Sequence, residues 1–230
     1  MPVEVYDERD VQKTRRMRFN AAKFILPGWR TLQGCGCRLI DSKQGVSAMV
    51  SAAPSGGSHV RFANTARCGS VWSCPLCAAS VTEGRAQELT RAVDAWCKAG
   101  NTVVMVTLTN SHRAHESLCD QMTGLRDALA DLKASRTYKD ARLDLGSHGS
   151  VRSLEVTWGE DNGWHPHIHQ IEFIKGIHEP AALTAKLGAF QDSVFPVWSS
   201  ACTSNGLGAP SLDRGINFVH GKTVNERIAE

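Results

Sequence analysis

The sequence has no apolar run of the roughly 18 residues that a membrane-spanning helix needs. It also lacks the pattern of a secretory signal, because residues 1–8 do not place a basic segment before an apolar one. The first absence excludes an integral membrane protein with helical spans, and the second argues against export by the secretory route. The sequence therefore predicts a cytoplasmic protein.

A strong charge of one sign is absent as well. The 26 Lys and Arg residues nearly balance the 23 Asp and Glu residues, and the net charge of +3 permits an anionic partner without demanding one. Basic residues are nevertheless concentrated in residues 1–30, which include Arg15, Arg16 and Arg18. We interpret this segment as a basic arm that could neutralise phosphate groups, although a solvated tail fits the pattern equally well.

Eight cysteines are many for a reducing compartment, where disulfides do not persist. Cys74 and Cys77 form a CxxC pair, and Cys68 lies six residues upstream of it. A closed tetrahedral zinc site needs a fourth thiolate, which Cys35 or Cys37 can supply. With the loop-rich composition between them, these cysteines predict a small zinc-binding module over residues 31–78. Redox chemistry and free thiols are the alternatives.

From residue 79 the sequence alternates between helical and strand patterns. After a helix that ends near Gly100, we predict strand 102–109, helix 115–134, strands 151–158 and 164–174 joined by a turn, helix 180–195 ended by Pro196, and strand 213–220. From residue 102 this order is that of the split βαβ, or ferredoxin-like, fold. We therefore predict an α+β domain over residues 79–230, with a central antiparallel βαββαβ sheet, helices on one face, and the zinc module before it.

Three histidines alternate along the third of these strands. Because alternate side chains of a strand share a face, His165, His167 and His169 point the same way. A row of imidazoles on one face predicts a metal or phosphate site. If the preceding turn is centred near Asp161, Glu155 lies opposite His167 and can act as a further metal ligand; its alternative role is that of a solvent-facing strand residue.

The chain resembles the plasmid rolling-circle replication initiators of the HUH endonuclease superfamily, the type common in actinobacteria. The resemblance covers about residues 35–230. It depends on the cysteine segment 68–77, on Thr-Leu-Thr-Asn-Ser-His at 107–112, on Leu-Glu-Val-Thr at 154–157, and on Trp-His-Pro-His-Ile-His at 164–169, which is the most specific.

The resemblance implies a metal-dependent enzyme that nicks and joins one strand of a replication origin. His167 and His169 would hold Mg²⁺ or Mn²⁺, with Glu155 as the further ligand that the hairpin suggests. A tyrosine would attack the DNA, become linked to the 5′ phosphate and leave a 3′ hydroxyl for a polymerase. The implied partners are single-stranded or cruciform origin DNA and host replication proteins. We assign DNA contacts to Trp164, His165 and the three arginines of the basic arm.

The sequence departs from this family at the catalytic tyrosine. The family tyrosine lies on a helix downstream of the histidine strand, whereas the only tyrosines here are Tyr6 and Tyr138. We therefore expect the nucleophile to lie beyond Glu230, so that this chain alone binds DNA without cutting it.

Two other functions remain open from the sequence. Histidine-triad nucleotide hydrolases and transferases also carry alternating histidines on a strand, but Pro166 and Gln170 occupy places where that motif has apolar residues. A non-catalytic, zinc-stapled DNA-binding module would explain the missing tyrosine.

Overall fold

The structure is a computed structural model that describes residues 8–52, 58–176 and 179–220. The chain forms two compact units, residues 1–88 and residues 89–230. The predicted boundaries at residues 30 and 78 stay predictions. No helix in the described ranges is both long enough and apolar enough to span a bilayer.

The first unit is built around the cysteine segment. Its elements are helix α1 (Glu8–Ile25), helix α2 (Arg30–Gln33), strands β1 (Ser47–Ala52) and β2 (Ser58–Ala63), and the start of helix α3 (Pro75–Lys98). Most of the segment that the sequence analysis treats as a basic arm is therefore helical. Phe19 of α1 is buried in one cluster with Leu32 and three of the cysteines, so α1 is packed against the cysteine segment.

The second unit contains the predicted alternation of strands and helices. After the end of α3 come β3 (Thr102–Leu108), α4 (Leu118–Ala134), α5 (Arg136–Leu145), β4 (Ser147–Gly159), β5 (Gly163–Ile174), α6 (Pro180–Ser204) and β6 (Ile216–His220). The four strands form one antiparallel sheet in the order β4-β5-β3-β6. This is the predicted ferredoxin-like order, and β5, the histidine strand, is internal as expected.

The main core lies between one face of this sheet and helices α4, α5 and α6. Val104 and Val106 of β3 and Ile168 and Ile174 of β5 point into it, where they meet Trp198 of α6. The predicted arrangement of helices on one face is therefore present. The structure adds a partial cover to the opposite face, where Val93 near the end of α3 packs against Val103, Met105 and Ile171.

Helix α6 corrects the prediction that Pro196 ends the helix. The helix continues through Pro196 to Ser204, although a proline inside a helix removes one backbone hydrogen bond. Trp198 and Cys202, which follow the proline, are fully buried, and the Trp198 indole N–H donates to the Thr109 carbonyl at 2.8 Å. Burial of these side chains offsets the lost hydrogen bond.

Helix α5 lies in a segment for which the sequence analysis predicts no element. Its ten residues are mostly polar, but Tyr138, Ala141 and Leu145 recur at helical spacing and are buried. Ser135 caps the helix by accepting a hydrogen bond from the Tyr138 N–H, and Gly146 ends it in the left-handed conformation.

A buried carboxylate also lies on the helix-covered face. Glu172 of β5 is 0% exposed and accepts hydrogen bonds from Ser147, from Gln170 and, at 3.0 Å, from the Arg142 guanidinium. A buried charge is stable only when it is paired and hydrogen-bonded. The ion pair between Arg142 and Glu172 thus links helix α5 to the histidine strand β5.

Candidate metal and DNA site

The hairpin of β4 and β5 places the predicted metal ligands on one face of the sheet. The register pairs Glu155 with His167, as the sequence analysis expects, and Ser153 with His169. Across the other edge of β5, Thr107 of β3 pairs with His169. The histidine face is therefore the one opposite α4, α5 and α6.

Glu155, His167 and His169 converge on one point. Glu155 Oε2 lies 3.1 Å from His167 Nε2 and 2.8 Å from His169 Nε2. The two imidazoles are mostly buried, with side chains 12% and 22% exposed, whereas the Glu155 side chain is 50% exposed. Two imidazole nitrogens and a carboxylate oxygen suit a divalent ion and leave positions open for substrate oxygens.

The far nitrogens of the two rings are held by neighbouring groups. His167 Nδ1 donates to the His165 carbonyl at 3.3 Å, and His169 Nδ1 lies 3.0 Å from Thr107 Oγ1. A histidine that binds a metal commonly donates its other N–H in this way, which fixes the ring and leaves Nε2 as the ligand atom. The sequence pattern alone does not predict this role for Thr107, although the residue lies in the motif at 107–112.

The surroundings of this site shift the pKa values of Glu155 and His165. Burial raises the pKa of the Glu155 carboxyl, but the hydrogen bond from His169 and the charges of both imidazoles outweigh burial and lower it overall. The pKa of His165 is lowered, first by burial and then by its neighbours His112 and His167.

A cleft of about 550 Å³ opens beside the metal ligands. It is lined by Thr107, Thr109, Asn110, Ser111, His112, Asn162, His165, His167, His169, Pro210, Ser211, Arg214 and Asn217. The structure thus brings together the histidine strand, the loop after β3 and the segment before β6. Neither His112 nor Arg214 was predicted as a site residue: His112 ends the motif at 107–112, and nothing in the local sequence connects Arg214 to the histidine strand.

Tyr138 lies away from this cleft. It is 5% exposed on the helix-covered side of the sheet, and its hydroxyl accepts a hydrogen bond from Gln170 Nε2 at 2.9 Å. Burial raises the pKa of its phenol. Within the described ranges Tyr138 is the only tyrosine, and Tyr6 lies outside them.

The other residues predicted to contact DNA are in two places. Trp164 is 39% exposed and faces Trp158 across the hairpin, with ring centroids 6.4 Å apart, next to His165 in the cleft. Arg15, Arg16 and Arg18 are exposed on α1 in the first unit.

In the first unit, the sulfurs of Cys35, Cys68, Cys74 and Cys77 form a compact cluster. Their Sγ–Sγ distances include 3.4 Å for Cys35 and Cys77, 3.6 Å for Cys35 and Cys74, and 3.7 Å for Cys68 and Cys77. Sulfurs around a tetrahedral zinc ion at Zn–S of about 2.3 Å would be about 3.8 Å apart, so the cluster has a suitable size. Cys37, the alternate ligand, is exposed and outside the cluster.

The thiols of this cluster affect one another's ionisation. Burial raises the pKa of Cys35 to about 12. Burial acts in the same direction on Cys77, but hydrogen bonds from Cys35, from the Gly69 backbone and from Cys68 lower its pKa overall. A bound dication would favour the thiolate form of all four cysteines.

Comparison with protein families identifies the chain. Residues 59–177 match the family model Rep_1, described as replication protein, and this match covers more than half of the chain. The chain therefore belongs to the Rep_1 family of replication proteins.

Two curated relatives from Streptomyces are similar to it. The chain is 34% identical over 192 residues to "Protein rep" of Streptomyces lividans, an alignment that covers 66% of this chain and 42% of the relative. It is 31% identical over 134 residues to "Neomycin resistance protein" of Streptomyces cyanogenus, covering 48% of this chain and 31% of the relative. The chain thus spans less than half the length of either relative. No solved structure matches it.

Proposed function

We propose that this chain is the metal-binding part of a plasmid rolling-circle replication initiator of the HUH endonuclease type. The proposed activity is origin-specific nicking and joining of one DNA strand through a tyrosine-5′-phosphate intermediate. The observation that carries the proposal is the convergence of Glu155, His167 and His169 on one point at the edge of a cleft. Membership of a replication protein family supports it. Such an initiator acts on its plasmid in the cytoplasm.

We propose Mg²⁺ or Mn²⁺ as the bound ion: the Glu155 carboxylate is the kind of oxygen ligand that both prefer, and both keep positions for phosphate oxygens. An ion held there supplies positive charge to a phosphodiester, stabilising the charge that develops during attack. His167 and His169 would hold this ion rigidly, because Thr107 and the His165 carbonyl bind their other ring nitrogens. The carboxylate of Glu155 completes the proposed ligand set.

In the proposed reaction, a tyrosine oxygen forms a bond to phosphorus. The bond from phosphorus to the 3′ oxygen breaks, and the phenol proton leaves as the 3′ oxygen becomes a hydroxyl. Tyr138 is buried on the other side of the sheet from the histidines, so the proposal assigns the nucleophile to a different tyrosine.

The four-cysteine cluster is proposed to hold a structural Zn²⁺ that stabilises the first unit. Residues 1–88 contain 12 of the 26 basic residues but only 7 of the 23 acidic ones. The net positive charge of the chain therefore lies in this unit, which supports phosphate contacts from Arg15, Arg16 and Arg18. In the second unit, exposed Trp164 is proposed to stack on bases beside His165.

Calorimetric titration with Mn²⁺ tests the metal site. We expect the unaltered chain to bind Mn²⁺, and His167→Ala or His169→Ala to weaken binding at least about tenfold, since even outer-shell changes cost that much. The matched control is His148→Ala, because His148 is exposed on the same sheet and stacks on Trp96 at the far end of β4. Equal Mn²⁺ affinity in all four proteins would remove the metal-site proposal.

A second experiment separates this function from its alternatives. The chain, and a form extended past Glu230, are incubated with Mn²⁺ and single-stranded origin DNA. A covalent protein-DNA adduct supports the initiator. Metal-dependent hydrolysis of a small nucleotide instead would support a histidine-triad enzyme, and DNA binding without an adduct in either form would support a non-catalytic module.

A further inference from the structure

The loop between β3 and α4 holds His112 in a fixed position beside the histidine strand. Ser111 forms an antiparallel bridge with Gly208, and Ala114 lies against Gly163 in the hairpin turn. A Cβ on Gly208 would collide with the Ser111 carbonyl, and one on Gly163 would lie 2.5 Å from the Ala114 carbonyl oxygen. Only glycine allows the loop to approach so closely on both sides.

Asn110 fixes the start of the same loop. Its side chain is 5% exposed, and its Nδ2 donates to the Ser111 carbonyl at 3.0 Å. The loop is therefore held from within as well as by the two glycines.

The His112 ring extends the row of imidazoles on β5. The centroid of the His112 ring lies 4.6 Å from that of His165. The centroids of His165 and His167 are 5.0 Å apart, and those of His167 and His169 are 4.7 Å apart. His112 thus contacts His165, the histidine of this row that is not a proposed ligand, and does not belong to the set of atoms that converges on Glu155.

The surroundings of His112 restrict which ring nitrogen can act as a hydrogen-bond donor. His112 Nδ1 is buried and has no hydrogen-bond partner among the described residues. A neutral ring carries one N–H, and a buried N–H without an acceptor is costly, so the proton belongs on Nε2. The His112 ring lines the cleft.

The rest of the cleft also suits an anion. Its described lining includes Arg214 and the amide of Asn217 besides the histidines, but no carboxylate. A non-bridging phosphate oxygen accepts hydrogen bonds and does not donate them, so it is the complement of such donors.

We infer that His112 binds the DNA phosphodiester at the metal site, donating from Nε2 to one non-bridging oxygen while the other faces Glu155, His167 and His169. This inference rests on the proposed function, because it needs a phosphodiester beside a bound ion. It gives His112 a role in substrate binding that is separate from metal binding.

The test uses the whole chain loaded with Mn²⁺ and the dinucleotide TpT, which has one phosphodiester and no terminal phosphate. Titration of the paramagnetic broadening of the TpT ³¹P signal gives its affinity. We expect His112→Ala to weaken TpT binding by at least about tenfold, the effect of losing one hydrogen bond to a charged group, with Mn²⁺ affinity unchanged. His112→Gln keeps an N–H donor and should restore part of the affinity. The control is His115→Ala, since His115 is exposed on the same loop and does not line the cleft.

The outcomes distinguish this inference from the proposed function. If His112→Ala binds Mn²⁺ and TpT as the unaltered chain does, the inference is wrong and the metal site stands. If His112→Ala loses Mn²⁺ affinity, His112 is a metal ligand and the inference is also wrong. If inorganic phosphate binds to the Mn²⁺-loaded chain more tightly than TpT does, the site is a free-phosphate site and the inference is wrong. Failure of the unaltered chain to bind Mn²⁺ would remove the proposed function itself.

Discussion

Replacing Gly163 by alanine tests whether the loop that carries His112 is held against the hairpin turn. Gly163 has φ +70°, in the left-handed region, and an added Cβ would lie 2.5 Å from the Ala114 carbonyl oxygen. Both effects act on the same residue, so the substitution strains the hairpin turn and displaces the loop. The control is Gly159→Ala, because Gly159 pairs with Gly163 across the turn and a Cβ there would meet nothing within 4 Å.

The size of the effect follows from these two contributions. A non-glycine residue in the left-handed region costs about 1–2 kcal/mol, and backbone shifts that relieve overpacking cost about 1–3 kcal/mol. We therefore expect Gly163→Ala to lower the free energy of unfolding of the second unit by about 3 kcal/mol. For a unit of this size that corresponds to a fall in Tm of roughly 6–12 °C.

Thermal unfolding followed by near-ultraviolet circular dichroism measures this difference, because Trp158 and Trp164 lie in the same hairpin as Gly163. Gly159→Ala should unfold close to the unaltered chain. If the two alanine variants unfold within about 1 °C of each other, less than the shift expected from even 1 kcal/mol, the loop is not held against Gly163 and the placement of His112 loses its support.

Two further predictions concern the cysteine cluster and the buried ion pair. Cys74→Ser should abolish stoichiometric zinc binding, measured by metal analysis. It should also abolish the helicity of the first unit, since structural zinc sites contribute folding energy directly. Cys37→Ser should retain both, and equal zinc content in the two variants would contradict the assignment. Arg142→Ala should lower the free energy of unfolding in urea by about 3 kcal/mol, because it leaves the buried Glu172 carboxylate without its cation. Arg136→Ala, which removes only an exposed pair on the same helix, should leave the midpoint almost unchanged, and a similar effect of both would refute the role of Glu172.

The parts of the fold that follow from local patterns were predictable from the sequence. A continuous β-branched run gave β3, and a tight turn between two strands set the register that places Glu155 opposite His167. Period-two alternation placed the three histidines on one face. Each of these inferences depends on residues close together in sequence or joined by a short turn.

The parts that were missed depend on tertiary packing. Burial of Trp198 and Cys202 stabilises α6 beyond Pro196, and the local sequence pattern does not predict that burial. Helix α5 is too polar to stand out, and its short buried stripe includes Tyr138. His112 reaches the site because the loop packs on Gly163 and Gly208, which are distant in sequence from it and from each other.

Strand β5 explains how a polar site can be rigid. Strand β5 places histidines on one face, and on the helix-covered face it carries buried Gln170 and Glu172 between the apolar Ile168 and Ile174. The Gln170 and Glu172 side chains are hydrogen-bonded to Tyr138 and Arg142 of α5, so the strand is anchored from the helix-covered side. On the other face, Thr107 and the His165 carbonyl bind the far ring nitrogens of His169 and His167 and fix those rings. Their Nε2 atoms can then converge on Glu155 at the edge of an open cleft, where substrate has access.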